Sequence, residues 1–393
     1  MDRKIWLFQL SADSSGWRNV PRHWIVLLVL IFLAGLALLA GCQNETSDSA
    51  ATIDLDSLPV NIPDSIFTID AVDTTLFGYL IRFGSLDDGS VLIADFVHSQ
   101  LFQLNPDGTG RVVAGKGHGP GEVQSVNFLS TDPEGNLYLF DRATMKLTQF
   151  NRDLVYKKDF VIENPGENIT LSEFHATAEP GLFLVAGTDR EYIREQTSDP
   201  KQIIGLYHWE EGSYSDWIHI PYTRVKYTVI DDIIRAIRGV PFTPTAHVAM
   251  HPEGRSFYMY FPPSEEIVEL SLSMDTLKTM PVVLPEESFI SSERDSVLDR
   301  IDFINVTERR EMDSMIPEVK PTVDHFIVDD LGRFWLRLTR RSPSREWLVL
   351  GSQGDPQKIV QHPNELEVTH ISSKNIGFYG EDIVTFTLFE PVD

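Results

Sequence analysis

The stretch Asp87-Asp88-Gly89-Ser90-Val91-Leu92-Ile93-Ala94-Asp95, continued by Gln100-Leu101-Phe102-Gln103-Leu104-Asn105, returns 46 residues later. There it reads Asp132-Pro133-Glu134-Gly135-Asn136-Leu137-Tyr138-Leu139-Phe140-Asp141, then Lys146-Leu147-Thr148-Gln149-Phe150-Asn151. One offset pairs Gly89 with Gly135, Asp95 with Asp141, Leu101 with Leu147, Gln103 with Gln149 and Asn105 with Asn151. Self-similarity at a fixed period means that equivalent supersecondary units stack on one another. Each unit here reads as a hairpin. An Asp or Glu beside Gly supplies the positive φ of a tight turn. A short β-rich apolar run follows, then a polar break, then an alternating strand.

Further turn glycines precede apolar runs at Gly181, Gly254, Gly332 and Gly377. With Gly89 and Gly135 they are separated by 46, 46, 73, 78 and 45 residues, so two intervals carry insertions of about 30 residues. The spacing predicts six units, each of the size of a propeller blade. The expected architecture is all-β: a six-bladed β-propeller of four-stranded antiparallel blades over residues 61–393, with insertions near 220–245 and 285–320. Ile66-Phe67-Thr68-Ile69-Asp70 alternates and is expected to complete the last blade, which would remove an exposed sheet edge.

The run Gly115-Lys116-Gly117-His118-Gly119-Pro120-Gly121-Glu122, followed by Asp132-Pro133-Glu134-Gly135-Asn136-Leu137-Tyr138 and Asp141, resembles the NHL-repeat pattern. The wider resemblance is to six-bladed propellers of the NHL/TolB-like type, especially lipid-anchored bacterial ones. It covers 80–155 well, 245–275 and 323–390 more loosely, and the insertions poorly. The resemblance implies a periplasm-facing propeller; some such folds are calcium-dependent lactonases or zinc-dependent lyases with ligands on the central axis.

The amino terminus reads as an address. Arg18 and Arg22 precede an apolar run, Trp24 to Ala40, which ends in Leu39-Ala40-Gly41-Cys42. That run is short for a spanning helix and has the length of a signal h-region. It resembles a lipoprotein signal peptide over 1–41, with Cys42 as the lipidated residue. Cys42 is the sole cysteine, so no internal disulfide or multi-cysteine zinc site can form. Residues 42–60 are small and polar at first and are expected to be a flexible tether. Gln43, rather than Asp, follows Cys42; by resemblance to Gram-negative lipoproteins this favours the outer membrane.

The formal charge of −25 over 393 residues repels phosphate backbones and argues against nucleic-acid binding. Tyr222–Ile230 reads as a strand and Asp231–Arg238 as one or two helical turns. In 285–320, Pro285-Glu286-Glu287-Ser288 reads as a helix start. Val297, Leu298, Ile301 and Ile304 then recur at helical spacing, predicting a helix or helix pair over one face of the ring.

Candidate chemistry is sparse. Gly115–Gly121 lacks the Gly-Lys-Ser/Thr ending of a phosphate loop and reads as an inter-blade link, with His118 a candidate for the channel wall. Asp95 and Asp141 recur at equivalent strand ends, which favours turn capping. His247 and His251 are four apart on a strand, where i and i+4 do not stack as they do on a helix, so no metal site is expected there. Arg333, Trp335, Arg337, Arg340, Arg341, Arg345 and Trp347 reverse the local charge, and alternation puts Arg333, Trp335 and Arg337 on one face, the best binding candidate. The expected function is a lipid-anchored, monomeric binding module for a protein, peptide or glycan, without a cofactor. The alternative is a hydrolase or lyase with a divalent ion such as calcium in the channel.

Overall fold

In a blade whose two faces are both covered, strands are apolar on both sides, and the runs Val91–Ala94 and Leu137–Phe140 have that character. The computed structural model describes residues 51–392 except 190–200, 216, 221–223, 231–232 and 381–383. The signal peptide and Cys42 lie outside the described residues. Among the described residues no helix is long and apolar enough to cross a membrane.

Six antiparallel sheets form a ring. Blade one comprises Leu80–Ser85, Val91–Asp95, Gln100–Leu104 and Gly110–Ala114. Blade two comprises Phe128–Thr131, Leu137–Asp141, Lys146–Phe150 and Tyr156–Val161. Blade three runs from Ile169–Ala176 through Leu182–Asp189 and Lys201–His208, with Ser213–Tyr214 and Ile218–Ile220 both paired to Lys201–His208. Blade four comprises His247–Met250, Ser256–Phe261, Glu266–Ser271 and Thr276–Pro281. Blade five comprises Val323–Val328, Phe334–Leu338, Arg345–Leu350 and Pro356–His362. Blade six contains Leu366–Ile371, Ile376–Gly380 and Thr385–Phe389, and its outer strand is Ser65–Ile69, paired Phe67↔Leu388 and Ile69↔Phe386. The amino-terminal strand therefore closes the ring as its alternation predicts.

Adjacent residues of each strand point to opposite neighbours. Val91 and Ile93 pack with Phe386 and Leu388 of blade six, whereas Leu92 and Ala94 pack with Leu129 and Leu139 of blade two. The core is thus distributed over the junctions between blades, and each fully buried Val, Leu, Ile or Phe there contributes about 1.5–3 kcal/mol.

The turns between first and second strands share one end of the ring, the turn face, with Gly89, Gly135, Gly181, Gly254 and Gly332 all at positive φ. Blade six differs. Its turn is Ser372–Asn375, closed by Ser372 N–H to the Asn375 carbonyl at 3.0 Å, and Gly377 lies inside the second strand. Ser372 Oγ accepts from the Lys374 and Asn375 N–H groups, so a side chain substitutes for the glycine device.

The inter-blade connections emerge at the opposite end, and both insertions sit there. Val225–Ile230 pairs with Ile233–Gly239 as a hairpin. Where one or two helical turns are expected at Asp231–Arg238, the described residues from Ile233 are a strand; Ile-rich 233–237 finds an extended partner in the preceding run, and tertiary pairing overrides the short apolar spacing. The second insertion holds α1 (Ser291–Leu298) and α2 (Val306–Met315). α1 starts six residues after Pro285, capped by Glu293 accepting the Ile290 N–H at 3.0 Å; Ile301 and Ile304 lie in the link. α2 is capped by Asn305, whose Oδ1 accepts the Glu308 N–H at 2.9 Å, while the Glu308 carboxylate accepts the Ile304 N–H at 2.6 Å just before the cap. Leu298, Met312 and Ile316 bury themselves against Val240, joining helices and hairpin base into one cap.

Residues 53–61 are not a loose tether. Leu55 is buried among Val282, Leu284 and Leu338, the Ile53 N–H donates to the Val283 carbonyl at 2.9 Å, and Val60–Asn61 pairs parallel with the outer strand of blade five. Two apolar residues in a polar run were enough to dock it.

Candidate functional site

Among the described residues, two of the cavities and the central channel bear on function. The inner strands of blades one, three, five and six each carry a register shift, just before Arg82, Glu173, His325 and His370. A bulge breaks the two-residue period and re-aims the side chain that follows it. Arg82 sits over the Phe128 ring at 5.6 Å, and Glu173, whose carboxylate feels the Arg82 charge, has its Oε2 3.1 Å from His175 Nε2. His175 in turn meets Phe128 edge-on at 5.0 Å. His247 and His325, from blades four and five, approach to 6.5 Å between ring centres.

Electrostatics divides these groups. Burial alone would raise the Glu173 pKa, but the His175 hydrogen bond and the charges of His175, Arg82 and His325 outweigh it and hold the carboxyl below its usual value. His247 is pushed down to about 4, first by burial, with Arg337 adding to the effect against the pull of Asp324 and Glu173. His325 is likewise pushed down to about 4, first by burial and then by Arg337, so at pH 7 the channel presents the Glu173 carboxylate beside two neutral imidazoles. Among the described residues no group of three His, Cys, Asp or Glu side chains is placed to hold a metal ion.

At the turn face the channel opens into a cavity of about 1050 Å³. Two of its rim carboxylates are committed to the turns. Asp132 accepts from the Glu134 and Asn136 N–H groups, from Asn136 Nδ2 and from the Tyr138 hydroxyl. Asp329 repeats the arrangement in blade five, accepting from the Leu331 and Arg333 N–H groups, from Arg333 Nε at 2.7 Å and from Trp335 Nε1 at 2.9 Å. Arg333 and Trp335 thus stand where Asn136 and Tyr138 stand in blade two.

That placement decides the arginine-tryptophan patch. Alternation does put Arg333, Trp335 and Arg337 on one face, but that face packs on blade six. Trp335 and Trp347 are buried with Ile371, Ile376 and Phe378. Arg333 also donates to the Val392 carbonyl. Arg337 reaches the capped mouth of the channel, bridging Asp324 and Glu367 at 2.5 and 2.6 Å. Arg345 pairs with Glu367 too, Arg340 with Asp56 and Glu346, and Arg341 with Glu287. Each arginine of the patch has carboxylate partners within the fold. His118 is exposed in the link between blades one and two and lines neither cavity.

The recurrent aspartates do cap turns. Asp95, fully buried, accepts the Gly78 N–H at 2.7 Å, the Tyr79 and His98 N–H groups, and lies 2.9 Å from His98 Nδ1. Asp141 accepts the Gln124, Ala143 and Thr144 N–H groups. Each ties the incoming inter-blade link to the turn between the second and third strands.

The second cavity, about 660 Å³, lies under the cap. Phe242 and Phe289, 4.4 Å apart between ring centres, form one wall with Pro244; α1 supplies Val297 and Ser296, and blade five supplies Val323 and Asp324. Phe242 is a non-glycine residue at φ 59°, a strained conformation of the kind that collects at ligand sites. At the pocket edge Lys320 Nζ is held by Glu293 at 2.6 Å and Glu287 at 3.2 Å, so the lining is close to charge balance. This pocket escaped sequence reasoning because its walls come from three separate segments. Only the two long glycine intervals hinted at it.

The fold and this capped ring define a six-bladed β-propeller with an elaborated connection face. No protein-family model matches the chain. No curated protein is similar to it. Among solved structures it is similar to a gluconolactonase from Xanthomonas campestris, at 12% identity over 83% of this chain and 89% of that one, with a TM-score of 0.42. It is also similar to a Bacteroides fragilis protein described as exported, at 13% identity over 85% of this chain and 99% of that one, with a TM-score of 0.49. Identities this low bear on fold alone, and the fold is read here from the blade pairing itself.

Proposed function

We propose that the chain is a monomeric binding module of the bacterial cell envelope, of the NHL/TolB-like type. It is carried on the outer membrane by a lipid on Cys42 and takes a peptide, protein loop or glycan in the pocket under the cap. The observation that carries this reading is the merging of two separate insertions into one cap walling a cavity of about 660 Å³. Six blades close the ring without them, so the cap serves something other than closure. Apolar and aromatic walls with a few polar groups suit a charge-balanced, amphipathic ligand.

The test is a thermal-unfolding screen of the mature protein against peptide and glycan panels. A ligand at a hundredfold excess over its Kd stabilises by about 2.7 kcal/mol. Ser296→Trp, on the exposed face of α1, fills the pocket without touching the core, and is expected to abolish that shift while leaving the unliganded protein unchanged. Ligand stabilisation that survives Ser296→Trp would sink the assignment to this pocket.

A second reading is a metal-dependent hydrolase or lyase working in the channel, where the His247 and His325 rings approach to 6.5 Å and Glu173 acts electrostatically on both, although among the described residues no three such side chains are placed to hold an ion. Elemental analysis of the mature protein after dialysis decides it: one tightly held calcium or zinc ion per chain would favour it over the binding module.

A further inference from the structure

Resting on the reading that a ligand sits under the cap, we propose that this ligand is an uncharged glycan. A neutral saccharide would be held by hydroxyls, with its carbon–hydrogen face on the Phe242–Phe289 wall. Three observations carry this. The first is that the formal charges at the pocket cancel. Among the described residues the charged groups lining it are Glu293, Lys320 and Asp324, and each belongs to a balanced set. On one side Lys320 is held by Glu293 at 2.6 Å and Glu287 at 3.2 Å, and Arg341 meets Glu287 at 2.9 Å. On the other, Arg337 bridges Asp324 and Glu367, and Arg345 pairs with Glu367. Each set holds two cations and two carboxylates. A phosphate, uronate or ammonium group entering here would leave a charge desolvated and uncompensated.

The second is which polar groups are free. Thr243 donates to the Val240 carbonyl and Thr339 to the Pro321 carbonyl. By contrast, among the described residues the Ser292, Ser296 and Thr245 hydroxyls have no partner within the fold, and Asp324 takes Arg337 through Oδ1 alone. Ser292 and Ser296 stand four residues apart on α1, so they line the pocket from one side of the helix, about 6 Å apart along its axis. A hydroxyl both donates and accepts, whereas a carboxylate oxygen only accepts. The free set therefore leans to acceptors. Its complement is a ligand rich in donors that carries no charge, which is the character of a polyol.

The third is the aromatic wall. Phe242 and Phe289, 4.4 Å apart and tilted by 54°, offer carbon–hydrogen surface without a ring N–H or O–H. A pyranose has a face of C–H groups and a rim of hydroxyls, so it can lie on such a wall while its rim reaches α1 and Asp324. A polyproline-type peptide presents carbonyls and few N–H groups, and so lacks the donors that these acceptors require. A pocket of about 660 Å³ also has the size that encloses a small ligand, which a short oligosaccharide satisfies and a protein loop does not.

The experiment is isothermal titration of the full mature protein. The neutral probes are maltotetraose, cellotetraose and N-acetylated chitotetraose. Tetragalacturonate and deacetylated chitotetraose are the charged probes, and an acetylated, amidated proline-alanine peptide is the peptide probe. At least one neutral probe is expected to bind with a Kd of about 1 mM or tighter, and its affinity to change less than twofold between about 0.05 and 0.5 M salt. Ser292→Ala combined with Ser296→Ala is expected to weaken that binding about thirtyfold, as the loss of two ordinary hydroxyl bonds does. Both serines are exposed, so the unfolding midpoint of the double variant stays that of the parent. The inference is overturned if no neutral probe binds, if a charged probe binds more tightly than every neutral one, or if neutral binding withstands the double substitution. Peptide binding in place of neutral-glycan binding, lost in Ser296→Trp, removes the glycan and leaves the pocket. Binding of a neutral probe or the peptide that survives Ser296→Trp removes the pocket reading and this inference together.

Discussion

Glu308 is the residue on which the unity of the cap depends. It is 2% exposed, and its carboxylate accepts from Thr228 and Arg238 of the hairpin and from the Ile304 N–H at the start of α2. Glu308→Ala leaves Arg238, Thr228 and a helix-start donor without their acceptor. Breaking a buried ion pair costs about 3–5 kcal/mol; Arg238 remains a quarter exposed and can recover some hydration, so the low end, about 3 kcal/mol, applies. That corresponds to roughly a hundredfold faster native-state hydrogen exchange of amides in 225–239 and 306–315, with the blades unaffected. Glu311→Ala is the control. Glu311 pairs with Lys226 but is half exposed, and such surface pairs are worth about 0–1 kcal/mol, so less than a fivefold change is expected. Burial would raise the Glu308 pKa, but the Thr228, Ile304 and Arg238 hydrogen bonds lower it overall. Its contribution is therefore present above its unfolded value of about 4.5 and fades as pH falls through the lower folded value. Exchange in Glu308→Ala within fivefold of the parent, or acceleration in α2 without the hairpin, would refute the reasoning that hairpin and helices are one unit.

Three further outcomes are expected. Asp141→Ala orphans three N–H donors at a fully buried site and should lower global stability by about 3 kcal/mol in urea unfolding; a loss under 1 kcal/mol would deny the aspartate its latch role. Gly254→Ala places a Cβ 2.7 Å from the Ala178 backbone nitrogen at φ 67° and should cost about 2 kcal/mol, whereas Gly135→Ala meets only the flexible Arg152 side chain at 3.1 Å and should cost about 1 kcal/mol; the reverse order would contradict the packing. His370 is buried with Nε2 2.9 Å from Asn375 Oδ1, and burial holds its pKa down to about 4, against the opposing effect of that bond. Its contribution is intact above pH 6.5; as pH falls from 6.5 to about 4 the unfolded chain takes up a proton the folded chain refuses, and stability declines by up to about 1.4 kcal/mol per pH unit. Urea midpoints of His370→Gln measured over that interval should show a shallower decline than the parent, and parallel profiles would remove His370 as a cause.

How far the candidate site could be read in advance depends on how local its determinants are. Arg333 and Trp335 drew attention as a charged aromatic stripe, yet Asp329, Gly332, Arg333 and Trp335 fall in the register of Asp132, Gly135, Asn136 and Tyr138. Aligning the repeat through blade five would have assigned them to the turn. Arg82, Glu173 and His325 were hidden for a different reason. Each follows a bulge, and a one-residue slip changes which face a side chain takes, so alternation misplaces it. Arg337 was singled out as a surface residue, and its place at the channel mouth follows only from where blade six's Glu367 stands.

The sequence by itself determined the architecture. A period of 46 residues, runs apolar on both faces and aspartates at equivalent strand ends are local features, and each repeats, so six blades and the closing role of Ser65–Ile69 follow from nearest-neighbour burial alone. The tertiary structure decided what lies off the period. It turned 233–239 into a strand because a paired strand was available, docked 53–61 because Leu55 found a buried site, and joined two insertions some 50 residues apart in sequence around Glu308. The pocket and the channel are built from side chains of different blades, whose meeting depends on ring closure and bulge position, and no spacing along the chain records either.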